Sequence, residues 1–215
     1  MIFDMKKYIL ILLLPLLTLN VVRATNNPEA DKIVKRVIAN LKKTSYKCTF
    51  SVVYYNEADK SSQNKTGVLQ IDNRLFRLVM QEIETKYDGK TQWVYSSENN
   101  EVTITEPTQD ELKDLNPMVM IDYYVKTHRI SLDDKQEKNY DVVNFFPPNP
   151  KSVEYFKITL KSSKSKSLPK QLVIWQRNGD KIVFNWENIE EMSFDKNTFV
   201  FNKTEYPNVY ENDMR

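Results

Sequence analysis

Three glycines, one cysteine and one histidine in 215 residues remove several kinds of chemistry at once. The lone Cys48 excludes an internal disulfide and any cysteine-based metal cluster. Gly67, Gly89 and Gly179 stand apart, each reading as a turn or a strand start, so no glycine-rich loop can cradle a phosphate and no dinucleotide fingerprint exists. A Ser-His or Cys-His dyad would have only His128 to build on, and no motif surrounds it; a surface or supporting histidine is the plainer reading. Asp133-Asp134 and Glu190-Glu191 fit solvated loop charges better than an acid–base pair or a metal site. No motif asks for a cofactor or a metal, and no nucleophile with its base is found. The sequence reads as a binding protein, not an enzyme.

An excess of one charge is also missing. The chain has 31 basic and 29 acidic residues. Its only long apolar run is Tyr8–Leu17, which follows Lys6 and Lys7 and leads to Val22-Arg23-Ala24. That is the layout of an export signal, with small or apolar residues at the −3 and −1 positions of the cut. The run is too short for a spanning helix, which needs about 20 residues. We therefore expect a signal peptide over residues 1–24 and a single exported domain over 25–215. The new first residue is Thr25, so no lipidated cysteine anchors it. Cleavage takes Lys6, Lys7, Arg23 and Asp4 and leaves 28 residues of each sign. Such a balance excludes nucleic acid as the main partner.

What the sequence does contain is alternation and aromatics. Asn27 and Pro28 predict a helix start, and Ile33, Val34, Val37, Ile38 and Leu41 recur on one face of it. From Tyr46 onward the period is two: Tyr46, Cys48, Phe50, Val52 and Tyr54 alternate with polar neighbours, and similar runs continue to Phe199 and Phe201. Asn178-Gly179 marks a tight hairpin. About ten strands at hairpin spacing predict an antiparallel sheet that curls or closes. One helical insert breaks the series: Thr108 and Glu111 form a capping box, and Asn116-Pro117 begins a helix over 117–126 carrying Met118, Ile121 and Val125 on one face. Lys161 to Lys170 reads as an exposed basic hairpin loop, with docking on an anionic surface as its functional alternative. Ten Phe, twelve Tyr and three Trp supply either a β-rich core or the lining of an apolar cavity.

Several segments then fall into a known pattern. Arg74-Leu-Phe-Arg-Leu-Val-Met80, Tyr87-Asp-Gly-Lys-Thr-Gln-Trp-Val-Tyr95 and Asn99-Asn-Glu-Val-Thr103 resemble the central block of LolA-type lipoprotein carriers. Tyr46-Lys-Cys-Thr-Phe50, Asn116-Pro117 and the tail Asn197-Thr-Phe-Val-Phe201 to Tyr206-Pro-Asn-Val209 are similar to that family more loosely. The resemblance implies a mostly β fold with helices (α+β): a curved antiparallel sheet forming an incomplete β-barrel, with a helical lid over an apolar cavity. It also implies a periplasmic shuttle. Acylated lipoproteins would be the cargo, an inner-membrane ABC transporter the donor and an outer-membrane protein the acceptor, with the carrier working as a monomer. Family members hold the lid with a basic residue in a pair preceding Pro; this chain has Asp72-Asn73 there and Arg74 one residue later. Either the latch differs or Arg74 replaces it.

By shared strand parity, Phe50, Val52, Leu69, Ile71, Phe76, Leu78, Met80, Trp93, Tyr95 and Ile104 are expected to face the cavity, with Met118 and Ile121 facing it from the lid. Burial of a methylene stabilises by about 0.8 kcal/mol, so rigid aromatics with adaptable Met80 and Met118 suit an imprecise acyl site. The competing reading from another class is a lipid- or lipoprotein-sensing regulatory module of the same shape.

Overall fold

A computed structural model describes residues 26–113, 115–149, 151 and 153–215 of the chain. The expected signal segment, its cleavage site and Thr25 lie outside the described residues. Among those described, no helix is long and apolar enough to cross a membrane.

The first helix, α1 (Pro28–Leu41), starts where the sequence predicts. The Asn27 side chain accepts hydrogen bonds from the Glu29 and Ala30 amides at 3.0 Å, and Ile33, Val34, Val37 and Leu41 are buried. A short α2 (Gln109–Leu112) opens on the Thr108–Glu111 capping box. The insert helix α3 (Pro117–Thr127) is capped by Asn116, whose side chain accepts from Met118 and Val119.

Among the described residues twelve strands make one sheet, where about ten were expected. In chain order they are β1 (Tyr46–Tyr55), β2 (Ser62–Asp72), β3 (Leu75–Met80), β4 (Ile83–Tyr87), β5 (Gln92–Ser96), β6 (Glu101–Thr105), β7 (Arg129–Leu132), β8 (Tyr140–Phe146), β9 (Tyr155–Ser163), β10 (Pro169–Gln176), β11 (Lys181–Glu191) and β12 (Tyr210–Asp213). Their spatial order is β12-β6-β5-β4-β3-β2-β1-β11-β10-β9-β8-β7. Hairpins join neighbours throughout, except where β1 pairs antiparallel with β11 and β12 pairs parallel with β6. The β1–β11 pairing fuses an N-terminal half-sheet to a C-terminal one. The end strands β7 and β12 are both edges, so the sheet does not close into a barrel.

The inner face carries the main core. Phe50, Leu69, Ile71, Phe76, Phe145, Ile158, Leu160, Leu172 and Trp186 are buried on it, and α1 and α3 pack over them. α3 contributes Met118, Val119, Met120, Ile121 and Tyr124 to the same cluster. One glycine decides a contact here. Gly67 lies inside β2, not at its start, and a Cβ on it would sit 2.2 Å from the Val79 carbonyl oxygen, so only glycine lets β2 and β3 approach there.

The outer face is also buried at one end. After β11 the chain crosses β3 to β6 through 3-10 turns at Lys196–Phe199 and Lys203–Glu205 before forming β12. Phe201, Tyr206 and Val209 of this tail pack on Trp93, Tyr95, Val102 and Ile104. Beneath them Glu84 accepts hydrogen bonds from Arg77 Nε and the Tyr206 hydroxyl, and the buried Lys86 ammonium donates to Val200 O at 3.3 Å. Burial pushes the Glu84 carboxyl up, but the Tyr206 hydroxyl and the Arg77 and Lys86 charges outweigh it and hold it below the usual range.

This arrangement corrects one expectation. Trp93, Tyr95 and Ile104 do not share a face with Phe76 and Leu78. The register places Arg77 opposite Lys86, Lys86 opposite Trp93 and Trp93 opposite Ile104, all on the outer side. Apolar parity switches between β4 and β5 because the tail covers the outer face there.

Candidate functional site

Beside α3 the inner face is left partly uncovered, and a cavity of about 460 Å³ opens at the end of the sheet where β1 finishes and β11 begins. Its floor is Phe50, Val52, Leu78, Met80, Ile174, Ile182 and Phe184. These residues fall on one face because each is in register with the next: Val52 with Phe184, Ile182 with Ile174, and Gly67, which pairs with Phe50, with Met80. Leu115 and Tyr124 form the wall on the helical side. Tyr54, Lys65, Lys113, Glu154, Tyr155 and Gln176 make a more polar lip. Lys113 pairs with Asp110 at 2.7 Å and lies 4.9 Å above the Tyr123 ring.

Of the twelve expected cavity residues, Phe50, Val52, Leu78 and Met80 line this space. Leu69, Ile71 and Phe76 share their face but are packed in the core. Trp93, Tyr95 and Ile104 are on the opposite side of the sheet, under the tail. Met118 and Ile121 are 2% and 0% exposed and sit within the core, not against the open cavity; from the helical segment Leu115 and Tyr124 reach it instead. Ile174, Ile182 and Phe184 were not expected there. Their alternation is visible in the sequence, but their place beside Val52 depends on β1 pairing with β11, a contact between strands about 130 residues apart that no hairpin signal reveals.

Arg74 lies in the β2–β3 turn with its guanidinium 4.0 Å from the Asp122 carboxylate of α3. Asp122 also binds Lys126 at 2.6 Å. The Asn116 amide reaches the Asn73 and Arg74 carbonyls at 3.5 and 3.4 Å, so this turn touches both the cap and the middle of α3.

His128 is buried, 7% exposed, at the other end of α3. Its hydrogen bonds specify one tautomer. The Thr127 hydroxyl donates to Tyr123 O at 2.7 Å, so its hydrogen is spent, and Nδ1–H of His128 donates to the Thr127 hydroxyl oxygen at 2.8 Å. Nε2 then accepts from the Tyr155 hydroxyl at 2.9 Å. The ring lies nearly parallel to that of Tyr155, edge to edge across the hydrogen bond with centroids 5.8 Å apart, and meets Tyr124 edge-on at 5.0 Å. Burial pushes the imidazole down to about 4 and the Tyr155 hydroxyl up to about 12. His128 is thus a neutral acceptor bracing two cavity-wall tyrosines. Cys48 is buried, and burial pushes its thiol up to about 12, which leaves it an unreactive core side chain. Among the described residues no cluster of His, Cys, Asp or Glu could hold a metal ion.

The basic segment over residues 161–170, whose ends belong to β9 and β10, is largely engaged with its own fold. Lys161 pairs with Glu137 at 2.5 Å, Lys164 donates to Glu137 O at 2.8 Å, and Lys170 pairs with Glu187 at 3.0 Å.

Comparison with known proteins places this geometry. The family model described as outer membrane lipoprotein carrier protein LolA matches residues 23–179. An uncharacterized conserved protein from Thermus thermophilus superposes with a TM-score of 0.60 at 12% identity, over 86% of this chain and 99% of its own. A LolA superfamily protein from Nitrosomonas europaea (TM-score 0.44, 11% identity, 80% of this chain and 97% of that one) also matches. So does a putative outer membrane lipoprotein-sorting protein domain from Vibrio parahaemolyticus (0.45, 11%, 83% and 98%). At these identities a likeness concerns the fold alone, and the Thermus protein carries it. No curated protein matches the sequence.

Proposed function

The chain belongs to the LolA family of outer membrane lipoprotein carriers, and from that premise we propose that it is an exported periplasmic carrier that shelters the acyl chains of lipoproteins between the inner and outer membranes. The observation that supports this reading best is the apolar cavity beside a helix that packs over the same face of the sheet. Cargo would arrive from an inner-membrane ABC transporter and leave to an outer-membrane acceptor, with the carrier acting as a monomer after removal of residues 1–24.

Volume and energy together define what α3 has to do. A carbon of an acyl chain takes about the room of one liquid water, about 30 Å³, so the 460 Å³ cavity holds about fifteen carbons, or one chain. Lipoproteins with two or three chains need more room, and α3 occupies it. The five α3 side chains of the core cluster contribute on the order of 10 kcal/mol together, taking about 1.5–3 kcal/mol each. One fifteen-carbon chain gains about 12 kcal/mol at about 0.8 kcal/mol per methylene. A second chain can therefore compete with the helix on nearly equal terms, which allows both loading and release. Arg74 is the candidate latch. Its ion pair with Asp122 is half exposed and contributes at most about 1 kcal/mol, enough to bias closure without locking it.

The test is mass spectrometry of ligand extracted from the protein purified out of the periplasm, followed by transfer of a labelled lipoprotein to outer-membrane vesicles. Acylated protein in the extract and transfer that requires the chain are expected. An extract free of acylated species, together with a stable complex with a transmembrane regulator, would replace the carrier with the sensing module.

A further inference from the structure

The apolar cavity does not end at its lip. A second cavity of about 490 Å³ adjoins it and shares Tyr54, Gln176 and Ile182 as a common threshold. Beyond them the lining changes character to Tyr55, Asn56, Asp59, Ser61, Gln63, Asp180 and Lys181. The change is built into the sheet, because this is where the inner faces of β1, β2 and β11 run out into the β1–β2 and β10–β11 hairpin tips.

The two tips form one wall. The Glu57 amide donates to Asp180 Oδ1 at 2.8 Å, and the tip residue Gly179 (φ +93°) lies so close that a Cβ there would be 2.8 Å from Glu57 Cγ. Asn56 Oδ1 accepts from the Ala58 amide at 2.9 Å, and its NH₂ group makes no hydrogen bond among the described residues. Gln63 and Gln176 make no side-chain hydrogen bond among the described residues, so both offer a donor and an acceptor. Charge narrows the choice of occupant. Asp59 and Asp180 outnumber Lys181, whose ammonium is held 4.4 Å over the Tyr55 ring, while Lys65 stands at the lip of the apolar cavity and not in this vestibule. A phosphate or carboxylate head is disfavoured there. A neutral group rich in both donors and acceptors is matched.

We infer that the vestibule binds the peptide head of an acylated polypeptide, so that the site recognises lipopeptide over free fatty acid. The inference rests on the acyl-carrier reading and deepens it. At about 30 Å³ per non-hydrogen atom, 490 Å³ accommodates about sixteen such atoms, or roughly two residues of the chain that follows the acyl anchor. The amides of Gln63, Gln176 and Asn56 pair with backbone groups whatever the cargo sequence, which suits a carrier of varied proteins.

The experiment titrates the mature protein by calorimetry with palmitate and with an N-palmitoylated Ser-Asn-Ser amide, which share a tail and differ in the head. The lipopeptide is expected to bind at least tenfold tighter. Gln63→Leu, at an exposed position, should reduce that ratio severalfold while leaving palmitate affinity unchanged, and Asp180→Ala should do the same by untying the tips. Equal binding of the two probes, or a ratio that neither variant moves, would overturn the vestibule and leave the acyl cavity standing. Failure of both probes to bind would sink the carrier reading and this inference with it.

Discussion

Acidification should loosen the cavity wall through a single side chain, His128. Its hydrogen bonds suit the neutral ring, in which Nε2 accepts from Tyr155 and the Thr127 oxygen receives Nδ1–H. Protonation would add a donor where the nearest partner is itself donating. Tyr123, Tyr124 and Tyr155 surround the ring, and among the described residues no carboxylate forms an ion pair with it. The ordinary imidazole value is 6.5, and burial lowers it to about 4. Between those values the unfolded chain binds a proton that the folded one refuses, so stability falls as pH drops below 6.5 and levels off below 4. The whole penalty is about 3 kcal/mol at 1.36 kcal/mol per unit, of which about 2 kcal/mol is reached by pH 5. Urea denaturation at pH 7.5 and 5.0 should show that loss in the wild type. His128→Gln, which keeps an acceptor for Tyr155, should lose about 2 kcal/mol less over the same interval. Since the chain has one histidine, its imidazole proton resonance can be followed without assignment. A midpoint near 6.5, or identical pH dependence in the variant, would refute the argument.

Ile121→Ala removes a fully buried α3 side chain and should cost about 2–4 kcal/mol, with increased binding of a hydrophobic dye by the empty protein as the sign that the helix has lifted. Unchanged dye binding would mean that the loss is spread through the core instead of freeing the helix. Arg74→Ala should alter global stability by less than about 1 kcal/mol yet speed acyl loading up to about fivefold, measured by stopped-flow fluorescence; no change in rate removes it as a latch. Glu84→Gln leaves Arg77 and Lys86 without their counter-charge and should cost about 1–3 kcal/mol, with faster amide exchange confined to residues 194–214. The Glu84 carboxyl is held below its ordinary value, so this contribution is present above the unfolded value and is lost as pH falls through the folded one.

Local rules were enough for much of this protein. Asn27-Pro28, the Thr108–Glu111 box and Asn116-Pro117 place the three α-helices of the described residues, because a cap and a fixed φ act within four residues. Alternation from Tyr46 onward marks the strands, since a half-buried sheet face repeats every second residue. The same alternation picks out Phe50, Val52, Leu78 and Met80 as one face, because β1, β2 and β3 are consecutive hairpins. It fails at Trp93, Tyr95 and Ile104. Parity says which residues share a side of one strand, but not which side is inner once turns of different length intervene, and there the tail buries the outer face. Two further features belong to tertiary structure alone. The pairing of β1 with β11 brings Ile182 and Phe184 to the cavity, and it brings two hairpin tips together as a polar vestibule. His128, expected as a surface or supporting residue, is buried by Tyr124 and Tyr155 from different elements. Short-range chemistry fixes each element and its apolar side; the partner an element meets across more than a hundred residues is selected by the burial of the assembled whole, which no single segment encodes.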